Sequence, residues 1–157
     1  MCKICWSIVL LLSLICAGVI YKFVVQGNIA PVTDPMADKR TAIQLESAER
    51  DLVLSEMRIF LQSVQQITSG IVNENMQQVI QQARLSGRSA QQEMPGSLVE
   101  KLPLPFKKLG FDTHSKFDQL ALDAEQLGDP DHTLSQLATL MENCVSCHAT
   151  YRFSVAP

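Results

Sequence analysis

Residues 129–148 read DPDHTLSQLATLMENCVSCH, and this stretch predicts the last helix of the protein. Asp129 is suited to cap a helix N-terminus, and Pro130 is suited to the first helical position. Apolar residues then recur at helical spacing, so one face should pack against other helices. The residues that we expect on this inward face are Leu134, Leu137, Ala138, Met141, Val145 and His148.

Three more amphipathic helices are predicted upstream. The first is capped by Ser47 and has inward residues at four- and three-residue steps. The second ends near Gly87 and the third near Gly128, and the proline-rich stretch from Met94 to Pro105 is predicted to be a long loop. No strand-like alternation persists downstream of the N-terminal segment, so residues 45–157 are predicted to form an all-α four-helix bundle. The inward residues are Val53, Met57, Phe60, Val64, Ile67 and Ile71 in the first helix; Met76, Val79, Ile80 and Ala83 in the second; and His114, Phe117, Leu120, Ala121, Ala124 and Leu127 in the third.

The motif Cys144-Val145-Ser146-Cys147-His148 is a C-x-x-C-H sequence, which is typical of covalent haem attachment. Its two thiols and its imidazole fall within about one helical turn, so they can reach one haem from the same side. A C-x-x-C pair also occurs in redox dithiols and in zinc sites. A redox dithiol is expected beside a βαβ pattern and a zinc site beside further close ligands, and the sequence shows neither. The motif therefore predicts one covalent haem c.

The longer stretch Cys144-Val145-Ser146-Cys147-His148-Ala149-Thr150-Tyr151-Arg152 resembles the C-terminal signature of the cytochrome c-prime family, C-x-x-C-H-x-x-Y-R. The resemblance covers about residues 45–153. It implies a four-helix bundle with one haem and with His148 as the proximal iron ligand. It also implies that Arg152 lies near the proximal haem face and that Tyr151 packs at the haem edge. Pairing through the first helices is common in the family, which makes a homodimer possible.

Low-spin members of this family use a methionine of the first helix as the sixth iron ligand, and Met57 is the candidate here. The family often has an arginine one turn earlier, where this chain has Val53. Met57 as a plain core residue is the alternative, since that is the commoner role of a helical methionine. His114 is a rival ligand, although a lone histidine on an apolar face is more often hydrogen-bonded structure. High-spin members leave the sixth position open.

Residues 1–26 are predicted to be a membrane anchor or a signal segment. Apolar residues make up 20 of the first 25 positions, and residues 4–25 contain one charge, Lys22. Such a run is long enough for a single transmembrane helix, and Lys3 places its N-terminus in the cytoplasm. The sequence Ala17-Gly18-Val19 fits a cleavage site poorly, so the anchor is preferred over a cleaved signal peptide. Residues 27–44 are predicted to be a tether.

The charge pattern indicates which partners suit the protein. Without Lys3 and Lys22, 11 basic residues remain against 16 acidic ones, a net charge of −5. An acidic domain favours redox partner proteins with a basic docking face and argues against nucleic-acid binding. We therefore expect a membrane-anchored electron carrier on the periplasmic side of a bacterial inner membrane, not an enzyme. The alternatives are a five-coordinate module that binds or senses NO or CO, and a structural protein that carries no haem.

Overall fold

The computed structural model describes residues 3–22, 38–91 and 94–155. The chain divides into two compact units, Met1–Lys39 and Arg40–Pro157. Residues 27–37 of the predicted tether lie outside the described residues. The remainder of that predicted tether includes a short strand of the second unit, described below.

In the first unit, helix α1 spans Lys3–Ile20. The described side chains from Trp6 to Lys22 are all exposed, and most of them are apolar. Among the residues that the structure describes, however, no helix combines the length and the apolar character needed to cross a membrane. The transmembrane helix predicted within residues 1–26 therefore finds no support in the described residues.

The second unit is mostly helical, which confirms the predicted all-α class at this coarse level. Within residues 40–91 and 94–155, this unit runs from a short strand through six helices to a second strand. The bounds are β1 Thr41–Leu45, α2 Ser47–Val72, α3 Met76–Leu85, α4 Arg88–Gln91, α5 Gly96–Lys101, α6 Leu104–Leu127, α7 Pro130–Thr150 and β2 Tyr151–Val155.

Local hydrogen bonds explain where the helices begin. Asp129 caps α7 as predicted, because its Oδ1 accepts hydrogen bonds from the backbone N–H groups of Asp131 at 2.9 Å and His132 at 3.1 Å. For α2 the predicted cap, Ser47, is one residue too late. The cap is Glu46, whose backbone N–H donates to the carboxylate of Glu49 at 3.0 Å.

Four helices close a ring around one core, a packing compatible with a four-helix bundle. Helix α2 packs on α3, α3 on α6, α6 on α7, and α7 returns to α2. Gly70 brings α2 close to α3, because a Cβ at this position would lie 2.8 Å from Cγ2 of Val79. The buried residues of this first cluster are Phe60, Ile67, Val79, Ile80, Ala83, Phe117, Leu120, Ala121, Ala124, Leu137 and Leu140.

A second, smaller cluster joins the C-terminal end of the chain to the region before α2. Strands β1 and β2 pair in parallel, with Thr41 opposite Tyr151 and Leu45 opposite Val155. The prediction that no strand occurs downstream was therefore wrong. Alternate residues of β1 face inward. The buried members of this second cluster are Ile43, Leu45, Val53, Leu98, Leu102 and Phe106.

The predicted long loop from Met94 to Pro105 was also wrong. This stretch contains α5 and the first residues of α6, which begins at Leu104 instead of near His114. Two of its prolines, Pro95 and Pro103, occupy the N-cap positions of these helices. Proline disrupts a helix interior but is well suited to a helix start, so prolines here mark boundaries between helices.

Candidate functional site

The inward face of α7 differs from the predicted one. Val145 is 68% exposed and Leu134 is 48% exposed, and His148 and Met141 are also exposed. The buried positions follow a stripe rotated by about one residue, and Cys144 and Cys147 continue this stripe as half-buried side chains. Both cysteines therefore face the interior. The fully buried residues of α7 are Thr133, Leu137, Leu140 and Asn143.

A cavity of about 410 Å³ opens beside the C-x-x-C-H motif, and its walls come mainly from α2, α6 and the end of α7. This volume lies within the range of about 300–1,000 Å³ that is usual for small-molecule and cofactor sites. Most of the lining side chains are apolar. The lining residues are Leu54, Met57, Arg58, Phe60, Leu61, Val64, Phe106, Leu109, Gly110, Thr113, Met141, Asn143, Cys144, Cys147 and His148.

The cavity brings together four of the residues that the sequence singled out. Cys144, Cys147 and His148 line it from α7, and Met57 lines it from α2. Met57 is partly buried and packs against both core clusters. A methionine side chain on one helix and an imidazole on another thus border the same space.

The two thiols are held in the protonated state. Neither Cys144 nor Cys147 is in a disulfide. Burial raises the pKa of the Cys144 thiol, and burial together with the nearby Cys144 raises the pKa of Cys147. A redox dithiol needs a thiolate of lowered pKa, so this environment disfavours thiol–disulfide exchange as the role of the motif.

His114, the rival ligand, does not line this cavity. It is 3% exposed, with Nδ1 placed 2.8 Å from the carbonyl oxygen of Ser86 and Nε2 placed 3.3 Å from Oε1 of Glu56. Burial by itself would lower the pKa of His114, but the hydrogen bonds to Glu56 and to the carbonyls of Ser86 and Gly87 outweigh it and raise the pKa. Both ring nitrogens of His114 thus have partners within the protein, which agrees with a hydrogen-bonded structural histidine.

Tyr151 and Arg152 belong to β2 rather than to α7, and neither is among the described residues that line the cavity. Tyr151 packs edge-on against Phe106, with the ring centroids 5.5 Å apart, and Phe106 itself lines the cavity. Tyr151 thus contacts a residue of the cavity wall without lining the cavity itself. The haem contacts expected of Tyr151 and Arg152 rest on the family resemblance.

Strand pairing fixes the end of α7. β2 follows the helix directly and is held in register by β1. The guanidinium of Arg40 also donates a hydrogen bond to the backbone carbonyl of His148 at 3.3 Å. These contacts connect the last turn of α7 to the segment that precedes α2, and thereby limit how far His148 can move relative to the cavity.

The sequence reasoning missed a polar group in the cavity wall. The Asn143 amide nitrogen donates to Oδ2 of Asp112 at 2.7 Å and to Oγ1 of Thr113 at 3.2 Å, and its oxygen accepts from Nζ of Lys116 at 3.1 Å. The hydrogen bond from Asn143, followed by that from Lys116, lowers the pKa of Asp112. This network joins α7 to α6 at the residue before Cys144. The apolar pattern of the sequence contained no signal for Asn143, because the predicted inward face of α7 did not include it.

A larger cavity, of about 630 Å³, lies between α2, α3 and α4. Glu56 and Ser86 contribute to its lining, and Phe60 borders both cavities. None of the C-x-x-C-H residues lines it. Within the described residues, no group of three or more His, Cys, Asp or Glu side chains is placed to hold a bare metal ion.

Comparisons with models of known protein families, with curated proteins and with solved structures find no match to this chain.

Proposed function

We propose that this protein is a monohaem c-type cytochrome that works as an electron carrier, with the haem attached to Cys144 and Cys147 and bound at iron by His148. One observation carries the proposal: the C-x-x-C-H motif borders an apolar cavity that Met57 of α2 also lines. No substrate is transformed in this role. The cofactor is one covalent haem c.

The residues around the cavity suit a haem. The ring of a haem is planar and apolar, and most of the cavity wall is apolar. The two cysteines are reduced and half-buried at the wall, where each S–H can add across a vinyl group, with sulfur bonding to one vinyl carbon and hydrogen to the other. A haem bound there would supply a reversible one-electron iron couple.

The same lining offers two side chains that could bind the iron of a haem. The imidazole of His148 would donate a nitrogen lone pair from α7, and the thioether of Met57 would donate from α2. A methionine ligand together with a histidine raises the reduction potential of a c-type haem, which suits electron transfer. The Asn143 network and the Arg40 hydrogen bond would hold the histidine-bearing end of α7 in place.

A second candidate is a five-coordinate haem module that binds or senses NO or CO. It is favoured by the bulky apolar side chains that share the Met57 wall of the cavity, namely Leu54, Leu61 and Val64. Side chains of this kind could guard an open sixth position against water while admitting a small gas molecule. In this case Met57 is a wall residue and not a ligand.

The proposed location is the bacterial inner membrane, with the haem domain on the periplasmic side. It is supported by the apolar composition of residues 1–26 and by Lys3 at their start. The acidic character of the remaining chain favours a redox partner with a basic face. A homodimer through the first helices is proposed on the family resemblance. N-terminal sequencing of the mature protein tests the anchor, since a start near residue 20–30 would contradict it.

The experiment that separates the two haem functions is absorption spectroscopy of the full chain, made together with the haem-attachment machinery. The spectra are recorded oxidised and reduced, with and without CO. An electron carrier gives a low-spin reduced spectrum with a methionine-to-iron charge-transfer band in the oxidised form. A gas-binding module gives a high-spin spectrum and binds CO readily.

Two variants assign the sixth ligand. Met57→Ala should abolish the charge-transfer band, whereas His114→Ala, which removes a buried side chain outside the cavity, should retain it. If both variants retain the band, Met57 is not the ligand. A colourless wild-type protein would contradict both haem functions and leave a structural role.

A further inference from the structure

We infer that Arg58 binds the propionate carboxylates of the bound haem, an assignment that rests on the proposed function. Arg58 follows Met57 on α2 and lines the same cavity, while its side chain remains exposed. It therefore lies where the apolar cavity meets solvent. A haem inserted with its ring inside and its two acidic groups outward would bring the carboxylates to this position.

The charges of the cavity wall favour an acidic ligand. From α2 the only ionisable side chain in the described lining is that of Arg58, and α7 contributes Cys144, Cys147 and His148. The described lining residues of α6 carry no charge, and none of the described lining residues is Asp or Glu. A carboxylate that enters this space thus meets a permanent cation and no carboxylate in the wall.

Arg58 is also uncommitted to other acidic groups. In the described parts of the chain, no hydrogen bond or ion pair engages its guanidinium, whereas Arg50 pairs with Asp51 at 3.1 Å and Arg88 with Asp118 at 3.0 Å. Guanidinium presents a planar fork of N–H donors that fits a carboxylate through two parallel hydrogen bonds. A guanidinium with no partner among the described residues, placed at the edge of an apolar cavity, suits an apolar molecule that carries two carboxylates.

The test compares holoproteins of the full chain that carry Arg58→Gln, Arg58→Lys or Arg50→Gln. The readouts are the midpoint reduction potential at neutral pH and the propionate bending bands in resonance Raman spectra. Loss of a nearby cation disfavours the reduced, more negative haem, so Arg58→Gln should lower the potential and shift a propionate band. Arg58→Lys keeps the charge and should retain most of the potential. Arg50→Gln removes the same charge from the same helix away from the cavity and should leave both readouts unchanged.

The outcomes separate this assignment from the proposed function. A wild-type protein without covalent haem contradicts the function and, with it, the assignment. A haem-loaded Arg58→Gln protein with wild-type potential and wild-type propionate bands contradicts the assignment and leaves the function standing. A lowered potential with unshifted propionate bands also contradicts the assignment. That result would show that the charge of Arg58 acts on the haem from a distance and that its guanidinium does not contact the propionates. Unchanged helical circular dichroism in all three variants shows that the bundle is intact.

Discussion

The two ends of helix α7 face different interiors. Toward its start, Leu137 and Leu140 are buried in the first cluster, beside Phe117 and Leu120, and this filled end has the close packing usual for a protein core. Toward its C-terminus, Cys144 and Cys147 border the cavity of about 410 Å³. We call this part of the molecule the hollow end. The same helix thus closes a core at one end and leaves space at the other.

The two ends of α7 also differ in the residues on its inward face. Leu137 and Leu140 occupy the inward stripe of α7 between Thr133 and Asn143, and after Asn143 the inward side chains are the half-buried cysteines. Polar and sulfur groups replace hydrocarbon at the place where the space remains. A bundle that needed stability alone would continue the apolar stripe, so the hollow end is where a ligand would complete the core.

The largest expected difference between the two ends is in the loss of stability when one leucine from each end is replaced by alanine. Leu120 is fully buried in the filled end, and Leu61 lines the cavity while 71% exposed. Leu120→Ala should lower the free energy of unfolding by about 2–5 kcal/mol, because it leaves a cavity in a packed core. Leu61→Ala should change it by no more than about 0.5 kcal/mol in the chain without haem. Urea unfolding measures both, and equal losses at the two positions would remove the distinction between the ends.

A smaller effect is expected for two helical glycines, one at each end. A Cβ on Gly70 would lie 2.8 Å from Cγ2 of Val79 and 3.1 Å from the carbonyl oxygen of Asn75, whereas a Cβ on Gly110, in the cavity wall, would meet nothing within 4 Å. Gly70→Ala should therefore destabilise the chain by about 1–3 kcal/mol. Gly110→Ala should stabilise it by about 0.5–1 kcal/mol, since alanine favours a helix interior. Thermal unfolding of the two variants gives the signs, and destabilisation by both would show that the open space beside Gly110 is absent in solution.

The smallest effect concerns the boundary between the two ends, where Phe60 contacts His114 at a centroid distance of 4.9 Å. The folded-state pKa of His114 is raised, so the stability that its charge contributes is fully present below about pH 6.5 and is lost as pH rises through the folded value. Glu56→Gln removes the charged partner and should cost about 1 kcal/mol near about pH 6, where the imidazole of His114 is charged. Glu56→Gln should also flatten the dependence of the free energy of unfolding on pH in the range where His114 titrates. Urea midpoints across pH measure the effect, and parallel curves for wild type and variant would show that the pair contributes nothing.

The filled end was largely predictable from sequence. In α3 the inward residues Val79, Ile80 and Ala83 are buried as the helical spacing indicated. The predicted inward face of α7 was rotated by about one residue relative to the buried face in the structure. The reason is that counting apolar residues favoured Val145 and Met141 over Thr133 and Asn143. Threonine and asparagine are buried there through hydrogen bonds that a hydropathy pattern does not register, such as that from Thr133 to the Asp129 carbonyl at 2.7 Å.

The strand pair was not predictable, for a different reason. Thr41 and Tyr151 are opposite each other although 110 positions separate them in the chain, and nothing local identifies such a parallel pairing. The C-x-x-C-H spacing did identify in advance the residues of α7 that line the cavity, because Cys144, Cys147 and His148 all border it. The sequence pattern did not single out Arg58, because only the fold shows that it borders the cavity.

The central claim is that the hollow end holds a haem through Cys144 and Cys147, and intact mass spectrometry tests it most directly. The full chain is produced with the haem-attachment machinery, beside a variant that carries Cys144→Ser and Cys147→Ser. We expect that the wild-type mass exceeds that of the chain by one haem, that the haem remains on the peptide containing residues 144–148, and that the variant carries none. A wild-type protein with the bare chain mass would contradict it.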